Sequence, residues 1–142
     1  MSLIRLIKTK NRCFDRFLEE AQRFIDLAGQ GDFSGIDRLQ QRRDLILRAI
    51  SLCDRKINEE VVNLAPSERT EALLTSIREL LKLQDQKFSE ITQADARISR
   101  FLEQEQNRLS AEVSQSKQSM SHMKKFKSTW VAQAGGELDE KL

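Results

Sequence analysis

The stretch Ser67–Ala134, SERTEALLTSIRELLKLQDQKFSEITQADARISRFLEQEQNRLSAEVSQSKQSMSHMKKFKSTWVAQA, contains neither proline nor glycine. In its first half, apolar residues recur in steps of three and four or their multiples, and Gln84 and Asp95 occupy the two skipped positions. The apolar positions are Leu74, Ile77, Leu81, Phe88, Ile91, Ile98 and Leu102. This spacing predicts the core-facing side of one long helix, which we place at residues 67–120.

Two shorter amphipathic helices are predicted before this stretch, at residues 3–28 and 34–64. The apolar face of the first consists of Leu3, Ile7, Phe14, Phe17, Ala21, Phe24 and Ala28, and that of the second of Ile36, Leu39, Ile46, Ile50, Cys53, Ile57, Val61 and Leu64. Lys10 interrupts the first face, and Arg43 interrupts the second, where we expect it to pair with a carboxylate.

The ends of the helices are marked by glycine, proline and capping residues. Gly29-Gln30-Gly31 is expected to end the first helix, and the Ala65-Pro66 step to end the second. Either Asp32 or Ser34 is expected to cap the start of the second helix, and Ser67 the start of the third. The two connections are short, so we expect successive helices to lie antiparallel.

These patterns predict an all-α fold, an elongated antiparallel three-helix bundle with a long third helix. A single bundle domain is expected over residues 1–134, followed by a flexible tail at 135–142 after Gly135-Gly136. The third helix is longer than its partners, so its far end is expected to extend beyond them. Serines accumulate between residues 110 and 121, and the helix either continues there or breaks so that a short fourth segment folds back.

Composition limits the functional classes. Of the 142 residues, 32% are charged and 6% are aromatic, a composition that favours long amphipathic helices. The net charge of +2 gives no general attraction to nucleic acid or membrane. The single histidine, His122, and the two separate thiols, Cys13 and Cys53, form no catalytic or metal-binding motif. We therefore expect no enzyme, no cofactor and no metal. No signal peptide or apolar run of membrane-spanning length is present, so a cytoplasmic protein is expected.

An apolar set near the end of the third helix is the strongest functional signal. Its members are Leu102, Leu109, Val113, Met120, Met123, Phe126 and Trp130. Methionine adapts to partners of different shape, and tryptophan is often an anchor in interfaces, so this set is suited to receive another helix. The alternative is that a fourth segment folds back and uses the same residues for its own core. Lys117, Lys124, Lys125 and Lys127, interleaved with aromatic residues, could also contact nucleic acid, although a solvated basic helix end explains them more simply.

Three short motifs resemble the FliT/FlgN-like flagellar export chaperones. The first is the hinge Gly31-Asp32-Phe33, and the second is the pattern early in the second helix formed by Leu39, Arg43, Leu45, Ile46 and Ile50. The third is the ending Leu138-Asp139-Glu140-Lys141-Leu142, which is similar to the Asp-x-Lys-Leu tails of such proteins. The resemblance covers nearly the whole chain, and it implies a small cytosolic all-helical protein with a helical hairpin followed by a longer helix.

The resemblance also implies a non-enzymatic role. Members of this family hold the C-terminal helical segment of a late flagellar component, such as the filament-cap or hook–filament junction protein. They prevent its premature assembly and deliver it to the type III export apparatus. Their binding surface lies on the third helix and the region after it. The resemblance therefore assigns partner binding to Leu102, Leu109, Val113, Met120 and Met123, and a switching role to Phe126, Trp130 and the tail. This chain departs from the family in its polar stretch, Glu103–Ser119.

Two other functions remain as alternatives. In a structural coiled-coil protein, a second copy of the chain would bury the apolar set, giving a homodimer that depends on concentration. In a nucleic-acid-binding helical module, which is the weaker alternative, affinity would fall steeply with salt.

Overall fold

The computed structural model describes the backbone of residues 2–141 and the side chains of residues 3–125. It contains three α-helices, α1 (Ser2–Ala28), α2 (Ile36–Val62) and α3 (Glu71–Lys141), and a 3₁₀ turn at Pro66–Glu68. The described backbone contains no strand. The predicted all-α class with a long third helix is confirmed.

The third helix differs from the prediction at both ends. It begins at Glu71 rather than residue 67, and it continues to Lys141 rather than ending near residue 120. It has no break at residues 114–119, so the alternative of a fourth segment folding back is not found. The residues predicted to form a flexible tail, 135–142, are helical up to Lys141, and Leu142 lies outside the described residues.

The chain divides into two compact units, residues 1–101 and residues 102–142. In the first unit, α1 contributes most of the core, and all seven apolar positions predicted for it are buried. Phe14 and Phe17 form a cluster with Ile91 of α3, against which Ile46 and Ile50 of α2 pack. All three helices therefore share one core.

Polar contacts set the register of the helices in this unit. Lys10, which interrupts the apolar face of α1, forms an ion pair with Asp54 of α2, with 2.6 Å between Nζ and Oδ1. Asn11 is 4% exposed and donates a hydrogen bond from Nδ2 to the Leu80 carbonyl, at 3.2 Å. Asp15 on the next turn of α1 pairs with Lys87 of α3. The two contacts with α3 advance along both helices together, so α1 is parallel to α3. Glu20 of α1 lies 3.9 Å from Arg38 near the start of α2, and with the Lys10–Asp54 pair this makes α1 antiparallel to α2.

The buried side of α3 is rotated relative to the predicted one. Ile91 and Ile98 are buried as predicted, but the predicted core residues Leu74, Leu81 and Phe88 are 39% to 61% exposed. Ile77, also a predicted core residue, is half-buried, and so is Gln84 in one of the two skipped positions. Leu73, Leu80 and Lys87 lie half-buried beside them in place of Leu74, Leu81 and Phe88. The reason is that Asn11 and Asp15 of α1 bind α3 at Leu80 and Lys87, which turns the line of Leu74, Leu81 and Phe88 to the edge.

The predicted caps are partly wrong. The residue before α2 is Gly35, which makes no side-chain cap. Asp32 instead accepts hydrogen bonds from the backbone N and the Oγ of Ser34, at 3.0 and 2.6 Å, within the connecting turn. These bonds hold the pKa of the Asp32 carboxyl below its ordinary value. The cap of α3 is Thr70 rather than Ser67, since Thr70 Oγ1 accepts from the backbone N of Leu73 at 3.2 Å.

The end of α1 follows the prediction. Asp32 N donates to Leu27 O at 2.9 Å and Gly31 N donates to Ala28 O at 3.0 Å, which is the Schellman pattern. This pattern requires a left-handed residue at Gly31, whose φ is +84°.

Gly31→Ala is expected to destabilise the protein by about 1 kcal/mol, because an alanine side chain disfavours left-handed backbone. A Cβ at this position would meet nothing within 4 Å, so strain in the backbone is the only cost. The free energy of unfolding in urea measures the effect. Gly29→Ala is the matched control: Gly29 has no left-handed φ, and its added Cβ would make ordinary van der Waals contacts. Equal losses from the two changes would contradict this account.

Candidate helix-binding face

The strongest candidate site lies in the second compact unit. Every residue from Gln106 to Lys125 is exposed. Among them, four apolar side chains are between 47% and 60% exposed: Leu109, Val113, Met120 and Met123. Steps of four, seven and three residues separate them, and such steps keep side chains on one side of a helix. We call these four residues the distal face.

The structure describes the other predicted partner-binding residues only in part. Leu102, one heptad before Leu109, is half-buried. The side chains of Phe126 and Trp130 lie outside the described residues, as do those of the tail residues Leu138, Asp139, Lys141 and Leu142. Their assigned roles remain predictions.

Charged side chains border the distal face unevenly. Arg108 binds Glu105 with one guanidinium nitrogen at 2.5 Å and Glu112 with another at 2.6 Å. Hydrogen bonding by Arg108 lowers the pKa of the Glu105 carboxyl below its ordinary value. Lys117 and Lys124 follow further along the helix. The face therefore has carboxylates around its first half and lysines around its second half.

The family-like motif of α2 lies mainly in the core of the first unit. Leu39 is buried, and Ile46 and Ile50 pack against the central cluster. Leu45 is 57% exposed and does not contribute to the core. In this chain, four of the five motif positions therefore act in folding, because Arg43 also contacts Asp95 of α3 and the Phe17 ring of α1.

Arg43 connects the three helices. Its guanidinium carbon lies 5.1 Å from the centre of the Phe17 ring on α1, and Nη2 lies 2.9 Å from Asp95 Oδ2 on α3. Arg43 and Asp95 are the polar residues that interrupt the apolar lines of their helices, and they face each other. The expected pairing of Arg43 with a carboxylate is confirmed.

A double-mutant cycle of Arg43→Met and Asp95→Asn is expected to give a coupling energy of about 0.5–1 kcal/mol. The value is modest because the side chains of Arg43 and Asp95 are 42% and 31% exposed, so that water screens their attraction. Urea unfolding of the four variants measures it. The exposed pair of Arg108 and Glu105 serves as the comparison, and a larger coupling there than at Arg43 would contradict the assigned role.

The structure adds a second exposed apolar line that sequence reasoning placed in the core. Leu74, Leu81 and Phe88 on α3 are spaced by seven residues, and the next position in the series is Asp95. Since Asp95 binds Arg43, this line borders the side of α3 that faces α2. No spacing in the sequence separates this edge from the buried side, because Ile77, Gln84, Ile91 and Ile98 are also spaced by exactly seven residues.

Metal, pocket and membrane-spanning sites each have requirements with which the described residues can be compared. Among them, no group of three or more histidine, cysteine, aspartate or glutamate side chains could hold a metal ion. Surface depressions occur at Leu47 and Arg55 of α2 and between Leu18 and Arg97 of α1 and α3, and charged and polar side chains line much of each. No helix in the described part of the chain is long and apolar enough to cross a bilayer.

Cys13 and Cys53 are free thiols that approach each other between α1 and α2. Burial raises the pKa of the Cys13 thiol above its ordinary value of 9.0, and the neighbouring Cys53 raises it further. A raised pKa means that the fold favours the neutral thiol. Its contribution to stability is therefore complete below pH 9.0 and is lost as the pH rises through the folded-state pKa.

Alkylation of Cys13 by iodoacetamide in the folded protein is expected to reach its half-maximal rate at a higher pH than in the urea-unfolded chain, because only the thiolate reacts. Mass spectrometry of the labelled peptide at a series of pH values measures the difference. In the Cys53→Ala variant, the difference in pH between the folded and unfolded profiles should be smaller, because Cys53 no longer raises the pKa of Cys13. Identical profiles in the folded and unfolded states would contradict the burial argument.

Comparisons of this chain with protein-family models, with curated proteins and with solved structures find no match.

Proposed function

We propose that this protein is a cytosolic, non-enzymatic chaperone of flagellar type III export. Its partner is the C-terminal helical segment of a late flagellar structural protein, which it keeps from assembling prematurely and delivers to the export apparatus. The resemblance in the hinge, the α2 motif and the tail suggests the pathway, and the distal face suggests the mode of binding.

The single observation that carries the proposal is the exposure of the distal face. Leu109, Val113, Met120 and Met123 present apolar side chains to solvent along one side of α3. An apolar side of a helix is suited to pack against the apolar side of another helix, with anchors at intervals of three and four residues. Burying these four side chains against a partner would contribute a favourable free energy of about 25 cal/mol for each Å² of apolar area removed from water.

The composition of the face favours a chaperone over a permanent assembly. Two of its four members are methionines, whose flexible side chains repack against differently shaped partners. Ser110, Ser114 and Ser116 lie between the apolar residues and reduce the apolar area. A contact of this kind can be released, as delivery of a cargo requires.

Hydrogen exchange tests the proposal. Peptides covering residues 102–125 should gain protection when the C-terminal helical segment of a filament-cap or hook–filament junction protein is added, because a bound helix stabilises the backbone hydrogen bonds of α3. A peptide of the same composition in scrambled order is the control. If no such segment protects residues 102–125, or if protection appears only in the first unit, the proposal fails.

A further inference from the structure

The distal face belongs to a longer repeat that matches a coiled-coil seam. From Leu102, positions 102, 106, 109, 113, 116, 120 and 123 alternate steps of four and three without interruption. An alternation of this kind averages 3.5 residues, the spacing at which two helices keep their seams in contact by supercoiling. Five of the seven positions are apolar, and Gln106 and Ser116 are the polar exceptions.

The charges beside this seam are separated along its length. Glu103, Glu105 and Glu112 lie in the first half, where Arg108 is the only basic residue. Lys117 and Lys124 lie in the second half, which has no carboxylate up to Lys125. The segment therefore has an acidic half and a basic half, and two copies complement each other only when they run in opposite directions.

We propose that residues 102–125 of α3 pair with the same segment of a second copy of this chain in an antiparallel coiled coil. In the register that the seam dictates, Leu109 packs against Met120 of the second copy, and Val113 lies level with Ser116. The same register brings Glu103 beside Lys124 of the second copy. Because the arrangement is symmetric, each of these contacts occurs twice.

A parallel pair of helices would use the charges poorly. Each residue would lie level with its own copy, so Lys117 would be level with Lys117 and Lys124 with Lys124. In a parallel arrangement, the attractive contact between the two copies would join Glu112 of one copy to Lys117 of the other. Arg108 already binds Glu112 at 2.6 Å. Charge complementarity therefore favours the antiparallel orientation.

The dimer is expected to be weak and exchangeable. Gln106 and Ser116 place polar groups in the seam, where they fix the register at a cost in stability. Dissociation in the micromolar range follows from a seam this short and this polar. This inference does not depend on the proposed function, since a second copy can occupy the face whether or not a cargo helix binds there.

Sedimentation equilibrium of the full chain with charge-reversed variants tests the proposal. Glu103→Lys and Lys124→Glu each create two like-charge contacts in the antiparallel dimer. Each change alone should raise the dimer dissociation constant about tenfold. The double variant restores opposite charges and should return within about threefold of the wild type. Lys82→Glu, at an exposed position in the first unit, makes the same charge change as Lys124→Glu and should leave the constant unaltered.

Two results would overturn the proposal. One is a chain that remains monomeric at about 0.5 mM, well above the expected dissociation range. The other is a dimer in which both single reversals leave the dissociation constant unchanged, because Glu103 and Lys124 would then not be neighbours. Neither result bears on the proposed function, for which protection of residues 102–125 by a cargo helix is the separate test.

Discussion

Replacing Phe17 with alanine is expected to reduce the free energy of unfolding by about 3–5 kcal/mol. Phe17 is 5% exposed and lies in the cluster that Phe14 and Ile91 complete. Its ring also lies beneath the Arg43 guanidinium, so the change removes a cation–π contact together with the apolar packing. The loss is large because Phe17 on α1 lies in the cluster that packs against both α2 and α3.

Urea unfolding followed by circular dichroism at 222 nm measures this loss, which would be a large share of the roughly 5–15 kcal/mol by which a domain of this size is stable. Leu45→Ala is the matched control on α2. Leu45 is 57% exposed, and its truncation should cost less than about 1 kcal/mol. Similar losses at both positions would mean that the cluster around Phe17 is not the centre of the core.

The core of α1 could be predicted from the sequence because the two other helices cover it. A helix in that position buries one broad continuous face, and Leu27 is the one large apolar side chain of α1 that is exposed among those described. The sequence of α3 does not determine which side of the helix is buried. Leucines occur in adjacent pairs at 73–74 and 80–81, and either member of each pair could face the core. The choice depends on Asn11 and Asp15 of α1, and contacts between distant residues are not visible in the period of one helix.

The candidate site was predicted in a different way. The apolar spacing at Leu109, Val113, Met120 and Met123 is visible in the sequence, but exposure is not, because the same residues could have formed the core of a fourth segment that folds back. Serines at 110, 114, 116, 119 and 121 made a break plausible by lowering helix propensity. The helix nevertheless continues, since each serine costs only a few tenths of a kcal/mol and neither glycine nor proline interrupts this stretch.

Replacing both Leu109 and Met120 with aspartate is expected to weaken the binding of a cargo helix about 100-fold or more, since two apolar anchors become charges in the contact. The stability of the first compact unit should change by less than about 0.5 kcal/mol, because both side chains are exposed in the free protein. Isothermal titration with the cargo segment measures the first quantity, and urea unfolding measures the second.

Controls for this double variant separate three explanations of lost binding. Gln118→Asp introduces the same residue type on the opposite side of α3, so it tests whether lower helix propensity alone weakens binding. Lys124→Glu disturbs the proposed pairing with a second copy but leaves all four apolar residues of the distal face in place. Binding that survives Gln118→Asp and Lys124→Glu but not the aspartate pair would assign the cargo to the distal face. Loss of binding in Gln118→Asp as well would mean that the integrity of the helix, rather than its apolar face, determines the affinity.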